Sequence, residues 1–196
     1  MNDTPLPEIE AAKRAARAAA RAARDAARAD APGVARRAAG HMLEAIAAWR
    51  GARVVSAYLP IGSELDTRPL MLALYGLGFT VAVPVVAERA EPLRFRRWRP
   101  GVPLAAGPFG VQMPTEGDWC EPEVMVVPLL AFDAGGWRLG YGGGFYDRTL
   151  AARRAAGPVA AVGYGYAAQQ VEAVPHDGLD ARLDAVVTEE GILRPV

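Results

Sequence analysis

The sequence predicts a layered α/β fold: a mostly parallel sheet with helices on both faces. Three observations point to it. Short β-branched runs alternate with segments of helical spacing along the chain, the pattern of strand–helix–strand units. The length, 196 residues, suits a single domain on a prior of about 150 residues each, with a core that hides roughly 70% of the unfolded surface. A glycine-rich loop joins a buried strand to a helix, the kind of join at which backbone N–H groups can hold an anion.

The elements follow in order. Residues 8–29 form a helix, because alanine and arginine are strong helix formers; its apolar face is almost all alanine and buries little area. An Arg- and Ala-rich start can imitate a transit peptide. Here Asp3, Glu8, Glu10, Asp25 and Asp30 interrupt the basic run and no apolar h-region is present, so the segment reads as a structural helix whose arginines form a solvated face. After Pro32-Gly33 a second helix spans 34–49, with Met42, Leu43, Ile46 and Trp49 at helical spacing and Gly51 ending it. The run 54–59 is a strand closed by Pro60, 68–77 a helix and 79–86 a second strand. Residues 93–98 read as an exposed strand interrupted by Arg94, Arg96 and Arg97. The Pro/Gly-rich stretch 100–122 reads as loop, and 123–132 as a buried strand. The glycine loop follows, then a helix from Phe145 to Ala156, and strands at 158–164 and 184–188. No repeat is visible, and 1–196 reads as one domain.

Composition narrows the function. Lys+Arg and Asp+Glu each number 22, for zero formal charge, so no global field selects nucleic acid or membrane as partner. Cys120 is the only cysteine, which excludes an intrachain disulfide or a multi-cysteine zinc site. His41 and His176 cannot make a three-histidine metal site. No apolar run approaches the about 20 residues that span a bilayer. The expectation is a soluble, cytoplasmic monomer without nucleic-acid or membrane partners.

The chemistry concentrates in Phe132–Arg148. Its glycines let the backbone approach a ligand closely, and the following helix offers unpaired N–H groups with partial positive charge. Arg138 and Arg148 add full charges, and Asp147 in the first helical turn can hold magnesium against phosphates. The loop lacks the Gly-Lys-Ser/Thr of a P-loop. Phe145 stands where the dinucleotide fingerprint needs its third glycine. The residues alone therefore say "phosphate-like ligand on a helix N-terminus", and a plain capped turn is the bland alternative.

Arg138-Leu139-Gly140-Tyr141-Gly142-Gly143-Gly144-Phe145-Tyr146-Asp147, preceded by 127–133 (VPLLAFD), resembles the signature of the 5-formyltetrahydrofolate cyclo-ligase (5,10-methenyltetrahydrofolate synthetase) family. Residues 58–67 (YLPIGSELDT) are similar to its folate-side loop and 81–84 (VAVP) to its second strand. Gln170-Val171, Val174-Pro175 and 183–189 (LDAVVTE) resemble its C-terminal part, and Lys13 with Arg17 fits its N-terminal Lys-x-x-x-Arg. The chain also keeps one lysine, Lys13, among its 22 basic residues; a compact ammonium is not replaced by arginine's planar fork.

The resemblance implies a three-layer α/β/α architecture shared with sugar-phosphate isomerases and CoA transferases. It further implies ATP- and Mg2+-dependent closure of 5-formyltetrahydrofolate to 5,10-methenyltetrahydrofolate, releasing ADP and phosphate. Carried over, Lys13 and Arg138 are catalytic. ATP would be bound by Lys13, Arg14, Arg17, Arg138, Leu139, Gly140, Tyr141, Gly142, Gly143, Gly144, Phe145 and Tyr146. Folate would meet Leu59, Glu64, Tyr141, Gly142, Gly143, Gly144 and Phe145, the Glu64 carboxylate being suited to pterin amino and N–H groups. Asp147 and Asp180 would face the metal. The family's spacing lands on Asp180, while its frequent His-Asp pair is here His176-Asp177, three residues earlier, which leaves Asp177 as the alternative. Two departures are visible: the first helix carries alanine where the family has leucine, and Gln112-Met113-Pro114 replaces a Glu-Pro. Rival readings are a nucleotide- or folate-binding protein without turnover, and a basic-helix module on nucleic acid, which counterion release would make steeply salt-dependent.

Overall fold

The structure, a computed structural model, describes residues 7–29, 33–88 and 90–195. Asp3, Asp30 and Pro32 lie outside the described residues. A seven-stranded sheet forms the middle layer. Its parallel centre is built from β1 (Val54–Ser56), β2 (Thr80–Val85), β6 (Val124–Pro128), β9 (Ala160–Tyr164) and β10 (Ala185–Val187). Antiparallel strands close both edges, β3 (Arg94–Trp98) beside β2 and β11 (Ile192–Leu193) beside β10. Across the sheet the order is β11-β10-β9-β6-β1-β2-β3.

Side-chain alternation builds the two outer layers, since neighbours along a strand face opposite ways. Val124 and Val126 pack with α2 (Val34–Ile46) and α3 (Arg68–Gly76), through Met42, Ile46, Leu70 and Leu74. Met125 and Val127 face the other side, where Leu150 of α4 (Phe145–Ala156) joins Phe95, Leu129 and Phe132. The three-layer α/β/α expectation therefore holds. The first helix, α1 (Pro7–Ala29), stands apart: Ala16 and Ala20 pack on Leu130, Ala131 and Leu139.

Several elements differ from the sequence reading, for local reasons. The strand expected at 123–132 breaks at Pro128, which has no N–H to continue a ladder. The chain then turns into β7 (Ala131–Phe132), which pairs antiparallel with β8 (Arg138–Leu139). Arg138 and Leu139 thus stand on a short strand instead of in a free loop. The stretch 100–122 contains a hairpin, β4 (Leu104–Ala106) with β5 (Gln112–Pro114); its short, glycine-flanked strands carry no apolar period. The helix expected to 49 ends at Ile46, and β11 was not foreseen. The exposed strand at 93–98 is an edge strand that nonetheless buries Phe95 and Trp98. Pro84 sits inside β2 past Ala82, where pairing with β1 has ended.

Leu150 is fully buried at the centre of the α4 layer. Leu150→Ala should destabilise the protein by about 2–5 kcal/mol in urea unfolding, the usual range for a buried leucine. Leu72→Ala, on the exposed side of α3, should stay within about 0.5 kcal/mol.

Candidate active site

The sheet reverses its direction of growth between β1 and β6: the chain adds β2 and β3 on one side, β9 and β10 on the other. Such a switch point leaves a crevice beyond the carboxyl ends of the two strands. A cleft of about 610 Å³ lies there. Tyr58, Leu59, Ile61 and Glu64 enter it from beyond β1, Pro84 and Val86 from the end of β2, and Pro128 from the end of β6. The remaining walls come mainly from α1, the segment 138–148 and the segment 177–180, with Leu93, Val111 and Ala151 completing the lining.

The β7–β8 hairpin delivers Arg138, and α4 starts immediately after the glycines. Gly144 caps α4 at φ 64 and Gly142 stands at φ 96; a Cβ at Gly142 would come within 3.2 Å of the Arg17 guanidinium carbon. Glycine is needed at both positions for their left-handed backbone, and at 142 also because an arginine closes over it. The first-turn N–H groups of α4 have no partners within the helix, and its N-terminus opens on the cleft at Gly144, Phe145 and Tyr146.

Charged groups meet across the cleft. Lys13 Nζ donates to Asp177 Oδ2 at 2.6 Å and Asp180 Oδ2 at 2.7 Å. Burial works to lower the lysine pKa, but these two bonds outweigh it and hold the ammonium above its ordinary value. For Asp177 burial acts to raise the pKa; Lys13 and the Leu179 N–H overcome it and keep the carboxyl low. Asp180 also accepts the Asp177 N–H at 2.8 Å, so the 177–180 turn is closed on itself. Behind it, His176 stacks on Trp137 with ring centroids 3.8 Å apart. Arg138 Nη1 donates to Asp147 Oδ1 at 2.8 Å, and the Ala181 N–H uses the same oxygen at 2.9 Å. Arg17 Nε donates to the Gly140 carbonyl at 3.0 Å.

The wall beyond β1 is different in character. Glu64 is 8% exposed; its Oε1 accepts from the Tyr141 hydroxyl and its Oε2 from the Ile61 N–H, both at 2.9 Å. Burial pushes the Glu64 carboxyl above its usual value, against the pull of those two bonds and of Arg24. Burial, with the Glu64 charge, pushes Tyr141 up to about 12, so its hydroxyl remains a donor at neutral pH. The same causes hold Tyr146 well above the ordinary phenol range.

Of the residues expected from the sequence, Lys13, Arg17, Leu59, Glu64, Arg138 to Asp147 and Asp180 all line one cleft. Arg14 does not: it is exposed on α1, outside the lining. Asp177 and Asp180 both bind Lys13, so the two alternatives form one unit. Arg24 and Ser63 were missed. Arg24 is 5% exposed and bonds Ser63 Oγ at 3.0 Å. Lys13, Arg17 and Arg24 recur at helical spacing, the signal that could have marked a shared face.

Among the described residues no three His, Cys, Asp or Glu side chains gather closely enough to cage a metal. Magnesium usually takes only one or two carboxylates together with substrate phosphates. Asp147, whose Oδ2 is outside both of its bonds, and the Asp177–Asp180 pair meet that need, so the donor set fits such an ion. Also among the described residues, no helix is long and apolar enough to cross a membrane.

Fold and cleft together define a three-layer α/β protein with a charged cleft at a sheet switch point. The chain belongs to the 5-formyltetrahydrofolate cyclo-ligase family, whose model matches residues 9–189. It is 40% identical over 136 residues to the 5-formyltetrahydrofolate cyclo-ligase of Mycolicibacterium smegmatis, covering 64% of this chain and 69% of the relative. The enzyme of the same name from Escherichia coli is 36% identical over 143 residues, 70% and 78% of the two chains. The solved structure of Aquifex aeolicus 5,10-methenyltetrahydrofolate synthetase superposes with a TM-score of 0.72 at 27% identity, over 91% of this chain and 92% of that one.

The Lys13 cluster gives a pH signature. Asp177 is depressed, so its contribution to stability is present above 3.8 and lost as pH falls through its folded value. Lys13 is raised, so its contribution is present below 10.5 and lost as pH rises through its folded value. Lys13→Met should therefore lower stability by about 1–3 kcal/mol near neutrality, the range for hydrogen bonds to charged groups. In melting curves against pH, the gap to wild type should shrink in acid below 3.8 and in strong alkali.

Proposed function

We propose that this chain closes 5-formyltetrahydrofolate to 5,10-methenyltetrahydrofolate at the expense of ATP, with magnesium. The observation that carries the reading is the convergence of Lys13, Arg17, Arg138 and the α4 N-terminus on one side of a cleft whose other side holds the buried Glu64. One side suits a polyphosphate, the other a heterocycle with N–H donors. The names of the relatives, 5-formyltetrahydrofolate cyclo-ligase and 5,10-methenyltetrahydrofolate synthetase, support the folate ring closure.

In this reading the formyl oxygen attacks the γ-phosphorus and ADP departs. Phosphorylation turns a poor leaving oxygen into a good one. N10 then attacks the formyl carbon, phosphate leaves as the methenyl bridge forms, and the N10 proton is released. Phosphoryl transfer asks a protein mainly for positioning and charge stabilisation. Lys13 has three donors, two of them engaged by Asp177 and Asp180, and the third is available to a phosphate oxygen. Arg138, held by Asp147, and Arg17, held by Gly140, supply fixed positive charge to the transferring group. The N–H groups at 142–146 cradle the phosphates. Asp147 and Asp180, or Asp177 in its place, would hold a magnesium ion, which would supply further neutralisation of the phosphate oxygens. Glu64 accepts the pterin N–H groups, while Leu59, Tyr141 and Phe145 provide apolar contact to the folate rings. In this reading the chain acts as a monomer on small molecules in the cytoplasm.

The test is growth of the methenyltetrahydrofolate absorbance band after mixing the purified chain with 5-formyltetrahydrofolate, magnesium and ATP. The band should require ATP, and Lys13→Ala should reduce kcat/KM for ATP by on the order of 10²-fold, as removal of one transition-state donor does. Binding of ATP by folded protein without any growth of the band would overturn the reading in favour of a non-catalytic binding protein.

A further inference from the structure

Arg24 is buried on the face of α1 that meets the domain, yet it does not line the cleft. A buried guanidinium stays charged, and its N–H donors need acceptors. Those acceptors all lie behind the Glu64 wall. Nε donates to Ser63 Oγ at 3.0 Å. Nη1 donates to the Tyr141 hydroxyl oxygen and stands 4.0 Å from Glu64 Oε1. The Tyr141 hydroxyl, having accepted from Arg24, donates to Glu64 Oε1 at 2.9 Å. A fixed cation therefore orders the hydroxyl that orders the carboxylate, and each bond in such a chain polarises the next. The Ser63 hydroxyl donates to Asp25 Oδ1, which leaves its lone pair to accept from Arg24.

We propose that Arg24 is a positioning residue for the folate half of the reaction, acting through Tyr141 to keep the Glu64 carboxylate ionised and fixed in the cleft wall. The inference rests on Glu64 being the acceptor for pterin N–H groups. The groups around Glu64 are the phenols of Tyr58, Tyr141 and Tyr146 and the guanidinium of Arg24. Burial raises all three phenols, so they are neutral near pH 7. Arg24 is the cation of the set, with Asp25 behind Ser63 offsetting part of its charge. Without it, burial acts on Glu64 with one opposing influence fewer, and a protonated Glu64 loses acceptor capacity where the substrate needs it.

A purely structural role, docking α1, would depress kcat/KM for both substrates alike and leave pH profiles in place. Steady-state kinetics of the full chain across pH separate the two roles, since the profile of kcat/KM reports free-enzyme groups. Arg24→Gln should raise KM for 5-formyltetrahydrofolate about tenfold, equivalent to about 1.4 kcal/mol, with KM for ATP little changed. Its acidic limb should move to higher pH, and Arg24→Lys should move the limb back. An equal loss toward both substrates with the limb unmoved would overturn the proposal. Should Arg24→Gln fail to fold, Tyr141→Phe cuts the relay by one hydroxyl; a limb left at the wild-type position there overturns it equally. Glu64→Gln distinguishes the two levels. If it leaves folate KM unchanged, the reading of Glu64 falls and the proposal with it; if it raises folate KM while the Arg24 and Tyr141 variants leave the limb in place, the proposal alone falls.

Discussion

A helix made almost entirely of alanine and arginine has little apolar area with which to hold itself to a domain. α1 solves this by burying charge: Lys13 and Arg24 are 6% and 5% exposed, on the same face as Ala16 and Ala20. Cations taken from water must find partners, because an unpaired buried charge costs several kcal/mol. Lys13 finds Asp177 and Asp180; Arg24 finds Ser63, Tyr141 and Glu64. The contacts that dock α1 are therefore the contacts that assemble the cleft. Arg17 and Arg28 extend the row, reaching the carbonyls of Gly140 and Gly62.

This arrangement divides the cleft into two electrostatic regimes. At the Lys13 end, the carboxylates of Asp147, Asp177 and Asp180 stand among the cations Lys13, Arg17 and Arg138 around a helix N-terminus. In the proposed reading this is the end that takes the polyphosphate and the divalent ion. At the Glu64 end, a single carboxylate is kept in a mostly phenolic and apolar wall, where a planar heterocycle finds apolar surface and one directed acceptor. The glycine segment runs between the two, and Tyr141 belongs to both. Its backbone belongs to the glycine segment, while its hydroxyl bonds Glu64.

The sheet makes this division possible. Parallel strands direct their carboxyl ends to one side, and the reversal between β1 and β6 opens the crevice there. Pro128 ends β6 at that level and sends the chain into the β7–β8 hairpin, which lifts Arg138 into the cleft wall. The hairpin turn is anchored by the Leu183 N–H, which donates to the Gly136 carbonyl at 2.9 Å. The same contact draws the 177–183 segment alongside it, so two distant stretches of chain are registered against each other before any ligand arrives.

Much of this was legible from residue order. Alternation of β-branched runs with helical spacing gave the layers, because burial on both faces of a parallel sheet imposes that pattern. The start of α4 at Phe145 followed from the glycines before it, and the lone lysine pointed to a position that is buried and paired with two carboxylates. What tertiary structure alone decided were the partners. No local pattern says that Asp177 and Asp180 share Lys13 from more than a hundred residues away, or that Arg14 faces solvent while Arg24 is buried. Pro128 lay inside a run read as one strand, and only the pairing of Leu130 with Leu139 shows the hairpin beyond it. Local sequence sets periodicity and backbone freedom; which charges become neighbours depends on how the layers stack, and that is a property of the whole packed chain.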